Sequence, residues 1–346
     1  MWPGRYGSSQ VRRASGLILL ALLAAGLAPG RASAPAGVSA PAATSYLARI
    51  TAVPAGLDAK AVDGDQRLWL RVPASRTVIV VGLRGAPYLR FSPRGVEVNT
   101  QSPTYYLNRA RPLTPPAGLG PQTPPAWKLL TGAHSTSWHE DRLHALALAA
   151  HPAGSRYLGR WFVPVVVDGR RTSIAGGLWY APRPSLLWFW PLVLLLACVP
   201  ALLRLGDAGL AEAAGWSLAG LALAAATVGR LGRELYGRPT VSSGQLALVA
   251  LTCAVTVALA TLWLRRDWRP VVGVAIGVAA AYQGFALLGT LRNAYVLAVV
   301  PAWVERGAAT VSLAAGLALL LVTILGSAPT RERDEAERPE TLLVNR

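Results

Sequence analysis

Sulfur is scarce in this chain. Its two cysteines, Cys198 and Cys253, both fall inside long apolar runs, and Met1 is its single methionine. No cysteine lies between residues 37 and 184, which excludes a disulfide framework or a CxxC metal or redox motif there. A domain in that stretch must be held by its apolar core, and about 150 residues are enough to form one. A soft, methionine-rich copper(I) site is argued against by the same scarcity. Lysine is nearly missing as well: Lys60 and Lys128 are the only two among 34 basic residues, set against 17 acidic ones. Arginine-heavy usage of this kind follows GC-rich codons as readily as selection. A G-x-S-x-G nucleophile elbow is absent.

Long apolar runs, in contrast, are plentiful. A mean hydropathy of +0.37 with 53% hydrophobic residues points to a membrane protein. The chain is organised around the segment Gly177-Leu178-Trp179-Tyr180-Ala181-Pro182-Arg183-Pro184, which reads as a strand closed by prolines, and the run from Leu186 to Leu205 that follows it. About 20 apolar residues cross a hydrocarbon core as helix. Trp188 and Trp190 stand at the near interface, where indoles prefer to sit. Four further spans are predicted at Gly209–Val228, Gly244–Leu264, Pro270–Gly289 and Ala308–Gly326. The apolar segment Asn293–Trp303 is about half a span long and reads as interfacial or re-entrant.

Residues 1–36 have the parts of a secretory signal: Arg5, Arg12 and Arg13, the apolar run Leu17–Leu27, and small residues ending in Ala34-Pro35-Ala36. An uncleaved anchor is the alternative. An exported start followed by five spans gives an extracytoplasmic domain over 37–184, a membrane domain over 185–327 and a cytoplasmic charged tail over 328–346, in the plasma membrane. This puts Arg265-Arg266-Asp267-Trp268-Arg269 inside, as the positive-inside rule asks, while Arg230, Arg233 and Arg238 run against it. With 17 basic against 7 acidic residues over 37–185, the outer domain favours anionic headgroups at the membrane surface. Export excludes nucleic acid as a partner.

Between Tyr46 and Pro182 the pattern is short strands punctuated by proline and glycine: Tyr46–Val53, Arg67–Val72, Thr77–Leu83, Tyr88–Phe91, Val96–Asn99, Leu143–Ala149, Trp161–Val167, Arg171–Ala175 and Leu178–Tyr180. Spacing of this kind predicts an all-β, immunoglobulin-like sandwich. Asp63-Gly64-Asp65 and Asp168-Gly169 are turn signals, the second a hairpin. The proline-rich stretch Arg109–Pro125 reads as a loop over one sheet end.

All four histidines, His134, His139, His144 and His151, share one window. Its centre, Trp138-His139-Glu140-Asp141-Arg142-Leu143-His144, is not the HExxH of zinc proteases. Histidines five apart on a helix are turned about 140° from each other, whereas that chemistry needs them four apart on one face. On a strand His139 and His144 would point to opposite faces unless the chain bends between them. The candidate metal ligands are His139, Asp141 and His144, suited to zinc or copper(II). The alternative is a packed Trp138, an Arg142 ion pair with Glu140 or Asp141, and ordinary loop-end histidines.

Pro87-Tyr88-Leu89-Arg90-Phe91, Gly95-Val96, Asn99, Ser102-Pro103-Thr104, Tyr106-Leu107-Asn108, the histidine segment, Trp161-Phe162-Val163-Pro164 and Asp168-Gly169 together resemble an uncharacterised family of actinobacterial exported membrane proteins. The resemblance covers nearly the whole outer domain and implies no established activity. The family's histidine segment, Trp-His-Asp-His-Arg-x-His-Trp-Met, differs here at Asp141, Ala145 and Leu146, with the loss of one histidine, the aromatic residue and the methionine.

Within the spans the polar residues are few: Glu212, Gln245 and Gln283, with Asp207, Arg292 and Glu305 at the edges. Gly273 and Gly277 suit close helix packing. The expected function is a non-enzymatic binding or scaffolding protein of the cell envelope, with membrane lipids, an envelope protein and a metal ion as possible partners and no cofactor named. The alternative is a transporter component.

Overall fold

Alternation and turn chemistry build the first half of the computed structural model, which describes residues 41–109, 112–145, 156–204, 208–236 and 242–326. The expected signal segment 1–36, His151, Leu146, Asp207, Arg238 and the tail 328–346 lie outside the described residues. The strands are β1 (Ala43–Thr44), β2 (Tyr46–Ala52), β3 (Asp58–Val62), β4 (Arg67–Arg71), β5 (Val78–Val81) and β6 (Pro87–Ser92), followed by β7 (Gly95–Asn99), β8 (Trp127–Thr131), β9 (Ser135–His139), β10 (Tyr157–Val167) and β11 (Arg170–Tyr180). A short helix α1 (Pro103–Leu107) starts on proline. Seven strands form an antiparallel sheet in the order β2-β11-β10-β5-β6-β7-β8, and β3-β4-β9 form a second.

Both sheets feed one core. Leu68 and Leu70 from β4 and Trp138 from β9 cluster with Val78, Val80, Leu89, Phe91, Val163, Val165 and Ile174 from the larger sheet. Leu68, Leu70 and Val72 are buried as expected, and Trp69 on the opposite face of β4 is buried as well. Both sheets are open, and a division into seven and three strands is not the four-and-three or four-and-five division of immunoglobulin domains. The expectation is thus met at the coarser level of an antiparallel β domain.

Two local readings change. Arg171–Ala175 and Leu178–Tyr180 are one strand, β11: Gly176 leaves room for the indole of Trp161, which donates to the Gly177 carbonyl at 3.0 Å, and Gly177 leaves room for the rings of Trp179 and Tyr157. Leu143 is not in a strand; it closes a 3-10 turn, Asp141–Leu143, capped by the Glu140 side chain. The β10–β11 hairpin turns at Asp168 (φ 48°) and Gly169 (φ 82°) as expected, and the Asp168 carboxylate accepts from the Thr77 amide and from Arg76.

Among the described residues the second half has five helical segments long and apolar enough to cross a membrane: Leu186–Leu203, Gly209–Glu234, Ser243–Trp263, Arg266–Arg292 and Ala302–Leu325. This is a multi-pass architecture. The helices within them are α2 (Trp190–Leu203), α3 (Ala208–Glu234), α4 (Ser243–Trp263), α5 (Arg269–Ala286), the short α6 (Gly289–Arg292) and α7 (Ala302–Gly326). The last is central: it packs on α5, α3 and α2. Gly277 and Gly284 on α5 and Gly316 on α7 allow close approach, since a Cβ on Gly316 would lie 2.8 Å from the Gly277 carbonyl oxygen and 2.6 Å from the Ala281 nitrogen. Gly273, also singled out by sequence, faces Trp263 and Thr323.

Asn293–Trp303 does not span. It runs as an extended connection whose strand β12 (Tyr295–Val296) pairs antiparallel with β1. The β domain therefore joins the bundle twice, through the β11–α2 connection and through β1–β12. Both junctions are at the end where α2 begins and α7 begins, so α7 ends on the opposite side.

Candidate functional site

The histidine segment divides into a buried network, an exposed pair and a histidine paired with a buried aspartate. Trp138 Nε1 donates to Glu140 Oε2 at 2.9 Å, and Arg142 grips the same carboxylate with both Nε (2.6 Å) and Nη2 (2.8 Å). Glu140 is only 3% exposed. Arg142 Nη2 also donates to the Val81 carbonyl at 3.0 Å, so the network ties β9 of the small sheet to β5 of the large one. Bidentate, charge-assisted geometry of this kind is strong and orienting.

Of the expected metal ligands, His139 and Asp141 come together, with Nε2 to Oδ1 at 2.9 Å and both side chains about half exposed. His144 does not join them: its Nδ1 pairs with the carboxylate of Asp65, which is buried. The Tyr46 ring stands edge-on to His144, with centroids 5.3 Å apart. Burial pushes the Asp65 carboxyl above the usual carboxylate range, and the hydrogen bond from His144 pulls it back. Among the described residues no group of three or more His, Cys, Asp or Glu stands where it could hold a metal ion. His139, Asp141 and His144 thus stand in two separate pairs, His139 with Asp141 and His144 with Asp65. Calorimetry with zinc and copper(II) on the full chain is expected to give no saturable micromolar site. A 1:1 uptake abolished by His139→Ala would reverse that reading.

The other residues behind the family resemblance act as loop holders. Asn108 Nδ2 reaches both the Tyr88 hydroxyl (3.1 Å) and the His139 carbonyl (2.9 Å). Burial pushes the Tyr88 hydroxyl up to about 12, so it remains protonated. Asn99 Nδ2 donates to the Pro87 carbonyl, and its Oδ1 accepts from the amides of Gln101 and Ala126.

The seam with the membrane domain is built on β1 and β12. The Leu297 amide donates to the Ala42 carbonyl at 2.9 Å, Ser45 Oγ donates to Asn293 Oδ1 at 3.1 Å, and Ala42 is buried with Leu287 and Ala309. Arg306 on α7 fixes the connection from beneath through the carbonyls of Thr290 (3.0 Å) and Ala294 (2.8 Å).

Just below that seam lies the charge the membrane domain buries. Glu305 on α7 is 1% exposed, and neither carboxylate oxygen has a hydrogen-bond donor among the described residues. Gly229 and Gly232 on α3 make room for it. Arg233 follows Gly232 on the same helix. Arg230, 7% exposed, pairs with Glu234 at 3.1 Å and lines a cleft of about 50 Å³ with Gln283, the Thr227–Thr256 hydroxyl pair and apolar side chains of α3, α4 and α5. Arg230 and Arg233, which as loop charge weigh against the expected orientation, are thus helix residues, Arg230 in an ion pair with Glu234. Glu305, an edge residue by sequence, is the most deeply buried acid described. Gln245 closes a capping box with Ser242 on α4, and Glu212 pairs with Arg269 at 2.6 Å.

Comparison with protein-family models, with curated proteins and with solved structures returned no match.

Proposed function

We propose that this chain is a cell-envelope membrane protein whose β domain is an extracytoplasmic platform, fixed to a five-helix bundle, that binds or scaffolds an envelope protein partner. Membership in the actinobacterial exported family and a sandwich-type domain belong to the same reading. Its main support is the β1–β12 pairing: a domain held at two points keeps a set orientation to the membrane, as a scaffold requires, whereas a single linker leaves it free to swing.

The outer sheet offers binding surface at its β8 edge, where Leu129 and Leu130 are more than half exposed, and on β10 at Phe162. Unpaired edges and exposed apolar side chains are what partner strands use. A photo-crosslinking residue at Leu130 or Phe162 is expected to trap one discrete envelope protein in cells. Adducts at neither position would remove the binding reading.

In the proposed orientation the β domain is outside and the end of α7 inside. A reporter fused after Arg346 is expected to score as cytoplasmic, and an external signal would reverse the topology. The second reading, a transporter component, draws on the buried Glu305 and the Arg230–Gln283 cleft, since ionisable residues inside a span mark ion or substrate paths by default.

A further inference from the structure

Three spans end together on the face remote from the β domain: Gly209–Glu234 and Arg266–Arg292 begin there and Ser243–Trp263 finishes there. Between them is a cleft of about 380 Å³ lined by Gly209, Glu212, Trp216, Trp263, Arg266 and Arg269. Its aromatic wall is an edge-to-face pair, Trp216 and Trp263, with centroids 6.0 Å apart. Arg269 is held in place: its Nη1 donates to Glu212 Oε1 at 2.6 Å, its Nε to the Trp263 carbonyl at 3.3 Å, and its guanidinium lies 5.0 Å from the Trp216 ring centre.

Two groups in the cleft have no such engagement. Trp263 is 8% exposed, and its buried indole N–H has no acceptor among the described residues. The Arg266 side chain makes no hydrogen bond or ion pair among the described residues. A buried donor without an acceptor costs more than a typical hydrogen bond contributes, and two arginines against one glutamate leave the cleft one positive charge in excess. Both features call for an anion with acceptor oxygens. Because the cleft lies at the ends of three spans, it sits at the depth of the polar headgroups, where basic pockets between helices take lipid phosphates. Gly215 leaves open space on the same turn of α3.

We propose that this cleft binds the phosphate of an anionic phospholipid, with Arg266 and the Trp263 N–H as its donors and Arg269 as fixed positive charge. The test is native mass spectrometry of the full-length detergent-purified protein titrated with phosphatidylglycerol or phosphatidylcholine. The expected result is one retained phosphatidylglycerol and much weaker retention of phosphatidylcholine. Arg266→Gln should weaken that binding by about tenfold or more, the scale of one charge-assisted hydrogen bond. Trp263→Phe, which removes the donor and keeps an aromatic ring, should weaken it by roughly threefold to tenfold. Arg266→Gln should melt like the parent protein in the absence of added lipid, which separates lost binding from lost folding. Equal retention of the two lipids, or wild-type affinity in Arg266→Gln, would overturn the proposal. Competition by inorganic phosphate at the same concentrations as the lipid would also overturn it, because the site would then take a soluble anion.

Discussion

Replacing Gly316 by leucine is expected to cost the membrane domain its fold. The hydrophobic effect that drives soluble cores together is weak between helices already in lipid, so α5 and α7 are held by close packing, which small residues permit. At Gly316 the obstruction would be backbone: even a single Cβ would meet the Ala281 nitrogen at 2.6 Å, the Gly277 oxygen at 2.8 Å and the Ala280 carbonyl carbon at 3.1 Å. Backbone cannot swing aside as a side chain can, so the helices would have to separate along a contact that includes the buried Ala280, Ala315 and Leu319. Overpacking of ordinary cores costs about 1–3 kcal/mol, and a leucine against backbone on both sides belongs at or beyond the top of that range. The measurement is size-exclusion chromatography of detergent-solubilised protein, with loss of the monodisperse peak expected for Gly316→Leu. Gly220→Leu is the control, because nothing lies within 4 Å of a Cβ there and leucine favours helix over glycine by roughly 1 kcal/mol. A normal profile for Gly316→Leu would mean that α7 is not packed on α5 at this register.

The spans were legible because hydrocarbon thickness imposes a length that any apolar run must meet, and all five stand where the sequence puts them. Their ends were not. Sequence reading stops α3 at Val228 and starts α7 at Ala308, with Arg230 and Arg233 as loop charge and Glu305 as an edge residue. In the fold α3 continues to Glu234 and α7 begins at Ala302, and Arg230 pairs with Glu234 one turn further along α3, so these charges are carried on the helices rather than on a loop. The missed strands have a related cause. β8 (Trp-Lys-Leu-Leu-Thr) is an exposed edge and β9 (Ser-Thr-Ser-Trp-His) is mostly polar, so neither alternates clearly. In the histidine window the close pair, His139 with Asp141, could be read from spacing. The partner of His144 could not, since Asp65 is 79 residues away and is brought in by the Asp63–Gly64 turn.

Within the β domain the largest effect is expected at Arg142. Its guanidinium is one side of the bidentate pair with Glu140, and the carboxylate side chain is only 4% exposed. Truncation to alanine leaves that charge with the Trp138 N–H as its remaining side-chain donor and frees the Val81 carbonyl, which accepts from Arg142 at 3.0 Å. Removing one partner of a buried ion pair costs about 3–5 kcal/mol, because the other is left uncompensated. For a domain of this size that corresponds to a fall in Tm of roughly 10 °C or more. Replacing both partners at once should be gentler, since a buried pair exchanged for apolar groups of similar volume is often close to neutral. Arg142→Met with Glu140→Leu is therefore expected to recover a large part of the loss seen in Arg142→Ala. The two variants are compared by thermal unfolding of the full chain, followed through near-ultraviolet circular dichroism. If Arg142→Ala melts within about 2 °C of the parent, Glu140 has found water or another donor, and the Trp138–Glu140–Arg142 network is not what joins the two sheets.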